Sequence, residues 1–348
     1  MIVKNFFLVK TFGLLAICFL CFSLTCTSQS AEWQQMKSLD ISARRFVSVG
    51  FSIGTKGYVG MGLIGDSAEK DFWEYDPATN TWSQKADFGG GKRSSAVGFS
   101  IGSKGYVGTG FNGATLEETN DFWEYDPAKN IWTKKANFPG APREVATGFS
   151  IGSKGYIGNG RTDNFLVYFN DFWEYDPTKD AWTQKADFGG GERYATTAFV
   201  IGTKAYVGMG TERKIAEFDF KKDFWEYDQQ TNSWIRKADF GGNSRELAVA
   251  FVIGSKAYVC TGFNGNDLKD FWEYDAANDT WIRLADFAGG ERYAGIGFSI
   301  NDDGYVGMGI SSIREKSDLW KFTPHIVANR ADTTTAPLSK SKKVMIKY

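Results

Sequence analysis

An arginine recurs at Arg44, Arg93, Arg143, Arg193, Arg245 and Arg292, each at the start of a short apolar segment. The residue after it varies: Arg45, Ser94, Glu144, Tyr194, Glu246 and Tyr293. Guanidinium groups bind carboxylates in a bidentate fork, so six of them around one opening would attract an anion. The changing neighbours would turn such a ring into an asymmetric pocket, and Glu144 or Glu246 beside an Arg could transfer a proton. Strict repetition also fits a plainer role, in which each Arg bonds a carbonyl or carboxylate of the scaffold. The six arginines with Glu144, Tyr194, Glu246 and Tyr293 form the candidate ligand-binding set, and both roles stay open here.

Other chemistry is scarce. The single histidine, His325, lies at the start of a C-terminal tail, which removes a Ser-His-Asp triad and a histidine-bound zinc from the repeats. Asp and Glu show no calcium-loop spacing, and the glycine runs at Gly89 and Gly189 precede no helix, so no phosphate loop is expected. Cys260 stands where other repeats carry Gly and reads as a small core residue. We expect no metal and no cofactor, and the residues favour a binding role over an enzymatic one.

The elements that position these residues are repeats. Asp-Phe-Trp-Glu-Tyr-Asp at Asp71 recurs at Asp121, Asp171, Asp223 and Asp270, and in altered form at Asp318. The spacings are 50, 50, 52, 47 and 48 residues. Within the second copy, Ala96 to Ile101, Lys104 to Gly108, Asp121 to Tyr125 and Ile131 to Lys135 read as four strands, separated by Gly102-Ser103, a polar loop and Asp126-Pro127. Four short strands per ~50 residues is the arithmetic of a β-propeller blade.

Gly60-Met61-Gly62, then Tyr75, six residues and Trp82, resembles the kelch repeat. The Tyr-to-Trp spacing holds in five copies, although the glycines read Gly-x-Gly rather than as an adjacent pair. The resemblance, which covers residues 33 to 324, implies an all-β, six-bladed kelch-type propeller. Within that family, galactose oxidase carries a copper held by two histidines and a Cys-modified Tyr, a set that these blades cannot supply. Six-bladed sialic-acid mutarotases are similar in architecture and imply a cofactor-free alternative that would use Arg and Glu.

The sixth copy lacks a Trp after Phe322, and Trp33 stands at the other end of the chain to supply it. The N-terminal strand is therefore predicted to complete the last blade and close the ring. All twelve tryptophans fall on repeat positions, which leaves no spare Trp for a sugar platform. Five copies pair a Lys before the second strand with a Glu in the third (Lys56/Glu74, Lys104/Glu124, Lys154/Glu174, Lys204/Glu226 and Lys256/Glu273), while the sixth carries Asp303 and Lys321. A cross-strand ion pair, reversed in the sixth copy, would explain the double swap. The loops between second and third strands hold 8, 10, 10, 12, 7 and 8 residues and share a face with the arginines. Varying loops on a repeated frame are the place to expect a ligand.

Residues 1–30 carry Lys4 and Lys10, an apolar run from Thr11 to about Thr25 and a small polar cluster, the order of a secretory signal peptide. The run is short for a membrane span, which needs about 20 residues. Cys26 offers a lipid anchor as an alternative. Without residues 1–30 the chain has 38 basic and 41 acidic residues, a net charge of −3, which is no footprint of a nucleic-acid binder. The expectation is a monomeric propeller over 31–324, with a tail over 325–348, secreted or held at the cell envelope. Its partner would be a protein segment or an anionic saccharide, and a structural scaffold with no small ligand is the third reading.

Overall fold

The computed structural model describes residues 32–162, 167–212, 218–312 and 314–324. The expected signal peptide, Cys26 and the C-terminal tail lie outside them. Among the described residues there are six four-stranded antiparallel sheets. Blade 1 runs Val49–Ile53, Lys56–Gly60, Phe72–Asp76 and Thr81–Lys85. Blade 2 runs Val97–Ile101, Lys104–Gly108, Phe122–Asp126 and Ile131–Lys135, within a residue of the strands read from the sequence. Blades 3, 4 and 5 repeat the order from Thr147, Thr197 and Val249. Blade 6 takes Ile296–Ile300, Asp303–Gly307 and Leu319–Thr323, and its outermost strand is Glu32–Gln35.

That N-terminal strand closes the ring as the sequence predicts. Trp33 lies opposite Phe322 just as Trp82 lies opposite Tyr75. Its ring packs 4.7–6.3 Å from those of Phe251, Phe271, Phe287 and Phe322, so it ties blade 6 to blade 5. Elsewhere the outer-strand Trp and an Asn or Asp after the third strand grip the preceding blade together. Trp132 Nε1 donates to Ala86 O at 3.1 Å, while Asn130 Oδ1 accepts from Ala86 N at 2.9 Å and from Tyr125 OH at 2.8 Å. The tryptophans are thus spent on joining blades.

A second closure surrounds the axis. Ser95 N donates to Val47 O, Val145 N to Ser95 O, Ala195 N to Val145 O, Leu247 N to Ala195 O, Ala294 N to Leu247 O and Val47 N to Ala294 O, all at 3.0–3.2 Å. The belt returns to its starting residue. All six residues have φ between 44° and 55°, costly for β-branched Val47 and Val145, so the ring of bonds must hold them there. Inside the belt the cavity is only about 140 Å³, lined by pairs such as Val47-Ser48 and Ala195-Thr196. It is smaller than an ordinary ligand pocket of about 300 Å³ or more.

The Lys–Glu expectation holds in part. Each Lys makes its closer ion pair with the Asp that ends the third strand: Lys104 with Asp126 at 2.6 Å, Lys154 with Asp176 at 2.6 Å and Lys256 with Asp275 at 2.7 Å. Register explains this, because Lys256 lies directly opposite Asp275 whereas Glu273 lies opposite Tyr258. Glu74, Glu124 and Glu174 instead accept from the hydroxyls of Tyr58, Tyr106 and Tyr156 at 2.6–2.8 Å. The expected pair is within 4 Å in blades 4 and 5, Lys204–Glu226 at 3.8 Å and Lys256–Glu273 at 3.6 Å. The reversed pair Lys321–Asp303 also forms, at 3.6 Å.

Candidate functional site

Strand order brings the arginine segments and the second-to-third-strand loops to one face, called here the loop face. The arginines come first. The repeat position in blade 1 is Arg45, not Arg44: Arg45 is fully buried on Asp71, while Arg44 is partly exposed and pairs with Glu315 at 3.2 Å. One additional residue separates Trp33 from its Arg, compared with the eleven from Trp82 to Arg93, and that shift misplaced the reading.

Arg45, Arg93, Arg143, Arg193, Arg245 and Arg292 are all at most 2% exposed. Each forks onto the first Asp of its own Asp-Phe-Trp motif, from Asp71 to Asp318, with N–O distances of 2.5–3.3 Å. The Trp two residues later donates its indole N–H to the same carboxylate at 2.6–2.9 Å. Nη1 also donates to the carbonyl of the middle residue of Gly-x-Gly, as from Arg143 to Asn159 O at 3.0 Å. This explains why the glycines are not adjacent. The middle residue turns its carbonyl to the Arg with φ near 58°, and the second glycine, as at Gly110 with φ 88°, donates to the next Arg carbonyl. A Cβ on Gly110 would meet Ser94 O and the Ala96 backbone.

The linker before each Arg comes in two forms. Arg45, Arg143 and Arg245 donate Nε to the carbonyl two residues back, on Ala43, Ala141 and Asn243. In blades 2, 4 and 6 a glycine with positive φ stands at that place (Gly91, Gly191 or Gly290), and Nη2 reaches the carbonyl three residues back. The glycine runs therefore shape the arginine clasp.

Burial alone would push the carboxyls of Asp71, Asp121, Asp223 and Asp270 up, but the arginine bonds outweigh it and hold all four below the usual carboxylate range. A depressed folded-state value means stabilisation that is fully present above the unfolded value, about 3.9, and lost as pH falls through the lower folded value. Denaturant midpoints should therefore hold steady between about pH 5 and 8 and drop below about pH 4. A midpoint unchanged down to about pH 2.5 would contradict the clasp.

On the loop face, the residue after each Arg meets a partner across a short antiparallel pairing. Those pairs are Phe46–Leu63, Ser94–Phe111, Glu144–Arg161, Tyr194–Thr211, Glu246–Phe263 and Tyr293–Ile310. The loops read as irregular from the sequence begin as these small hairpins, for example Phe111–Asn112 against Glu117–Glu118. Six pairs on one frame, with different chemistry in each, make the asymmetric ring.

Blades 3 to 5 carry its polar part. Arg161 donates to Glu144 Oε1 from Nε at 3.1 Å and from Nη2 at 3.0 Å, and its guanidinium lies 4.3 Å from the Tyr194 ring centroid. Tyr168 meets Tyr194 edge-on at 5.1 Å, and both are buried beside Ala195 of the axial belt. Glu246 is 8% exposed and accepts from Thr211 Oγ1 at 2.6 Å. Burial pushes the Glu246 carboxyl up, against bonds from Thr211 and Tyr194 and the nearby charge of Arg161. Burial also raises the Tyr194 hydroxyl. The cluster thus joins a buried acid, a paired carboxylate and a stacked cation. Cys260 plays no part: it is fully buried, and its thiol is pushed up to about 12.

Of the sequence-based set, Glu144, Tyr194, Glu246 and Tyr293 come to this ring, whereas the repeat arginines lie beneath it. Sequence reasoning missed Arg161, Thr211 and Phe263. The signal was available, because each directly follows a Gly-x-Gly (or Cys-x-Gly) and so sits at a repeat position whose residue type varies, like the residue after each Arg.

A closed ring of four-stranded blades, each clasped by an Arg on its own third strand, is the architecture of a β-propeller. Residues 244–288 match the kelch motif. Among solved structures, one titled "Structure of YjhT" superposes with a TM-score of 0.71 at 16% identity, covering 84% of this chain and 98% of that one. No curated protein matches. The chain has a β-propeller fold and carries a kelch motif in its fifth repeat.

Proposed function

We propose that this propeller is an exported binding module whose ligand meets the loop face at the ring of variable pairs. The observation that carries the reading is the Glu144–Arg161–Tyr194–Glu246 cluster, where residues that could have been scaffold repeats become a specific polar constellation. Buried carboxylates cost stability and are kept where they serve recognition or chemistry. Glu32 and Pro324 both lie at the face opposite the loops. A protein segment fits the loop face better than an anionic saccharide, because the repeat arginines are already committed to aspartates.

One observation favours a second reading. Opening a free sugar ring needs an acid to protonate the ring oxygen and a base to take the anomeric hydroxyl proton. Glu246, raised by burial, and Glu144, which lies 3.0 Å from Arg161, could divide those tasks without a cofactor.

Glu246→Gln tests both readings. It keeps the Thr211 bond and the shape, so ligand capture should persist within about threefold while any NMR anomer exchange should fall at least a hundredfold. Tyr194→Ala should weaken capture at least tenfold by either reading. Capture that Tyr194→Ala leaves intact would move the site away from this ring.

A further inference from the structure

The loop face carries an aromatic stripe that no tryptophan contributes to. It starts at Phe218, which is 68% exposed, on the arm beside the Asp219–Phe220 strand of blade 4. Phe218 stacks on Phe220 at 6.1 Å with planes 18° apart, Phe220 meets Phe263 edge-on at 6.1 Å, and Phe263 lies 5.1 Å from Tyr293. Rim and mouth are thus joined by four rings from blades 4, 5 and 6.

The margin of this stripe is acidic. Glu212 and Asp219 lie across from one another in the blade-4 hairpin. Glu246 and Asp267 both pair with Phe263 in blade 5. Burial raises the Tyr293 hydroxyl, and Asp267 and Glu246 push it further the same way, which places both carboxylates within electrostatic reach of that ring. Lys221 bonds Glu212 and Asp219, the latter at 2.8 Å, and the charge of Arg161 reaches Glu246. Aromatic faces and carboxylates attract the same kind of group, a cation on an apolar stem.

We propose that the Phe218–Phe220–Phe263–Tyr293 stripe is the docking track for an extended peptide segment bearing lysine or arginine. The aliphatic stems lie along the rings, and the cationic ends meet Asp267 and Asp219. The inference rests on the loop face being the binding face and specifies its partner's chemistry. It also gives the Asp219–Phe220 strand of blade 4 a role: it carries the stripe out to the rim.

The test is binding of a fluorescent lysine octapeptide to the intact propeller, compared with the fully acetylated octapeptide and with cellotetraose. The expected result is saturable binding that acetylation weakens at least tenfold and that weakens as salt rises. Phe218→Ala and Asp267→Asn should each weaken it at least threefold. Phe218 is too exposed for its removal to endanger folding. Equal binding of the acetylated peptide, displacement by cellotetraose at lower concentration, or unchanged binding by both variants would overturn the proposal. No octapeptide binding would overturn it too. The loop-face reading itself fails only if ligands of other classes also leave Tyr194→Ala indistinguishable from the parent.

Discussion

Arg143→Ala is expected to lower the unfolding free energy by about 3–5 kcal/mol, with no ligand present. The guanidinium is 0% exposed, forks onto Asp171 and lies 4.9 and 3.9 Å from the rings of Phe138 and Phe169. Its removal takes the charged donor from the Asp171 carboxylate, which keeps the Trp173 indole, strips Asn159 O of its guanidinium donor and empties a packed space. Because the large effect comes from the stranded carboxylate, Arg143→Met with Asp171→Leu should recover a substantial part of the loss. Urea unfolding of the single and double variants decides the matter. A single-variant loss under about 1 kcal/mol would mean that the clasp adds little and would reopen a ligand role for the arginines.

The second large effect concerns closure. A chain beginning at Ser42 lacks the outer strand of blade 6 and the Trp33 ring among its four phenylalanines. It also loses Leu39, buried in the core beside Ile296 and Tyr305. Blade 6 would then expose a strand edge along Leu319–Thr323, and the shortened chain should aggregate or unfold in more than one step. Trp33→Ala in the full chain isolates the ring contacts and should cost about 3 kcal/mol. A soluble, equally stable and cooperatively unfolding truncation would show that the axial belt alone closes the propeller.

These two experiments bear on the part of the protein that its sequence states most clearly. The five Asp-Phe-Trp motifs, the altered Asp-Leu-Trp at Asp318 and the displaced Trp33 announce blade number and closure, because packing between blades demands the same aromatic residue at the same step each time. The arginine ring shows the limit of that logic. Strict repetition pointed to scaffold, but only the structure identifies the partner as the first Asp of each motif, some 25–30 residues away in sequence. Lys104 shows a subtler limit, since choosing Asp126 over Glu124 depends on a cross-strand register that spacing alone left uncertain by two residues.

The site was half legible. Glu144, Tyr194, Glu246 and Tyr293 could be found because they follow a repeated landmark. Arg161, Thr211 and Phe263 follow another landmark, yet their role arises only when the loop folds back on the Arg segment as a hairpin. The aromatic stripe was hidden for a different reason. Phe220 and Phe263 belong to different blades and loops of different length, so no sequence period brings them together.

The most direct test of the loop-face account is amide hydrogen exchange on the folded chain, with and without a ligand recovered by screening. The account predicts slowed exchange at Arg161, Thr211, Phe263 and Leu268, with the turns after the third strands, such as Ala78 and Ala128, unchanged. Protection confined to those turns, on the opposite face, would contradict it.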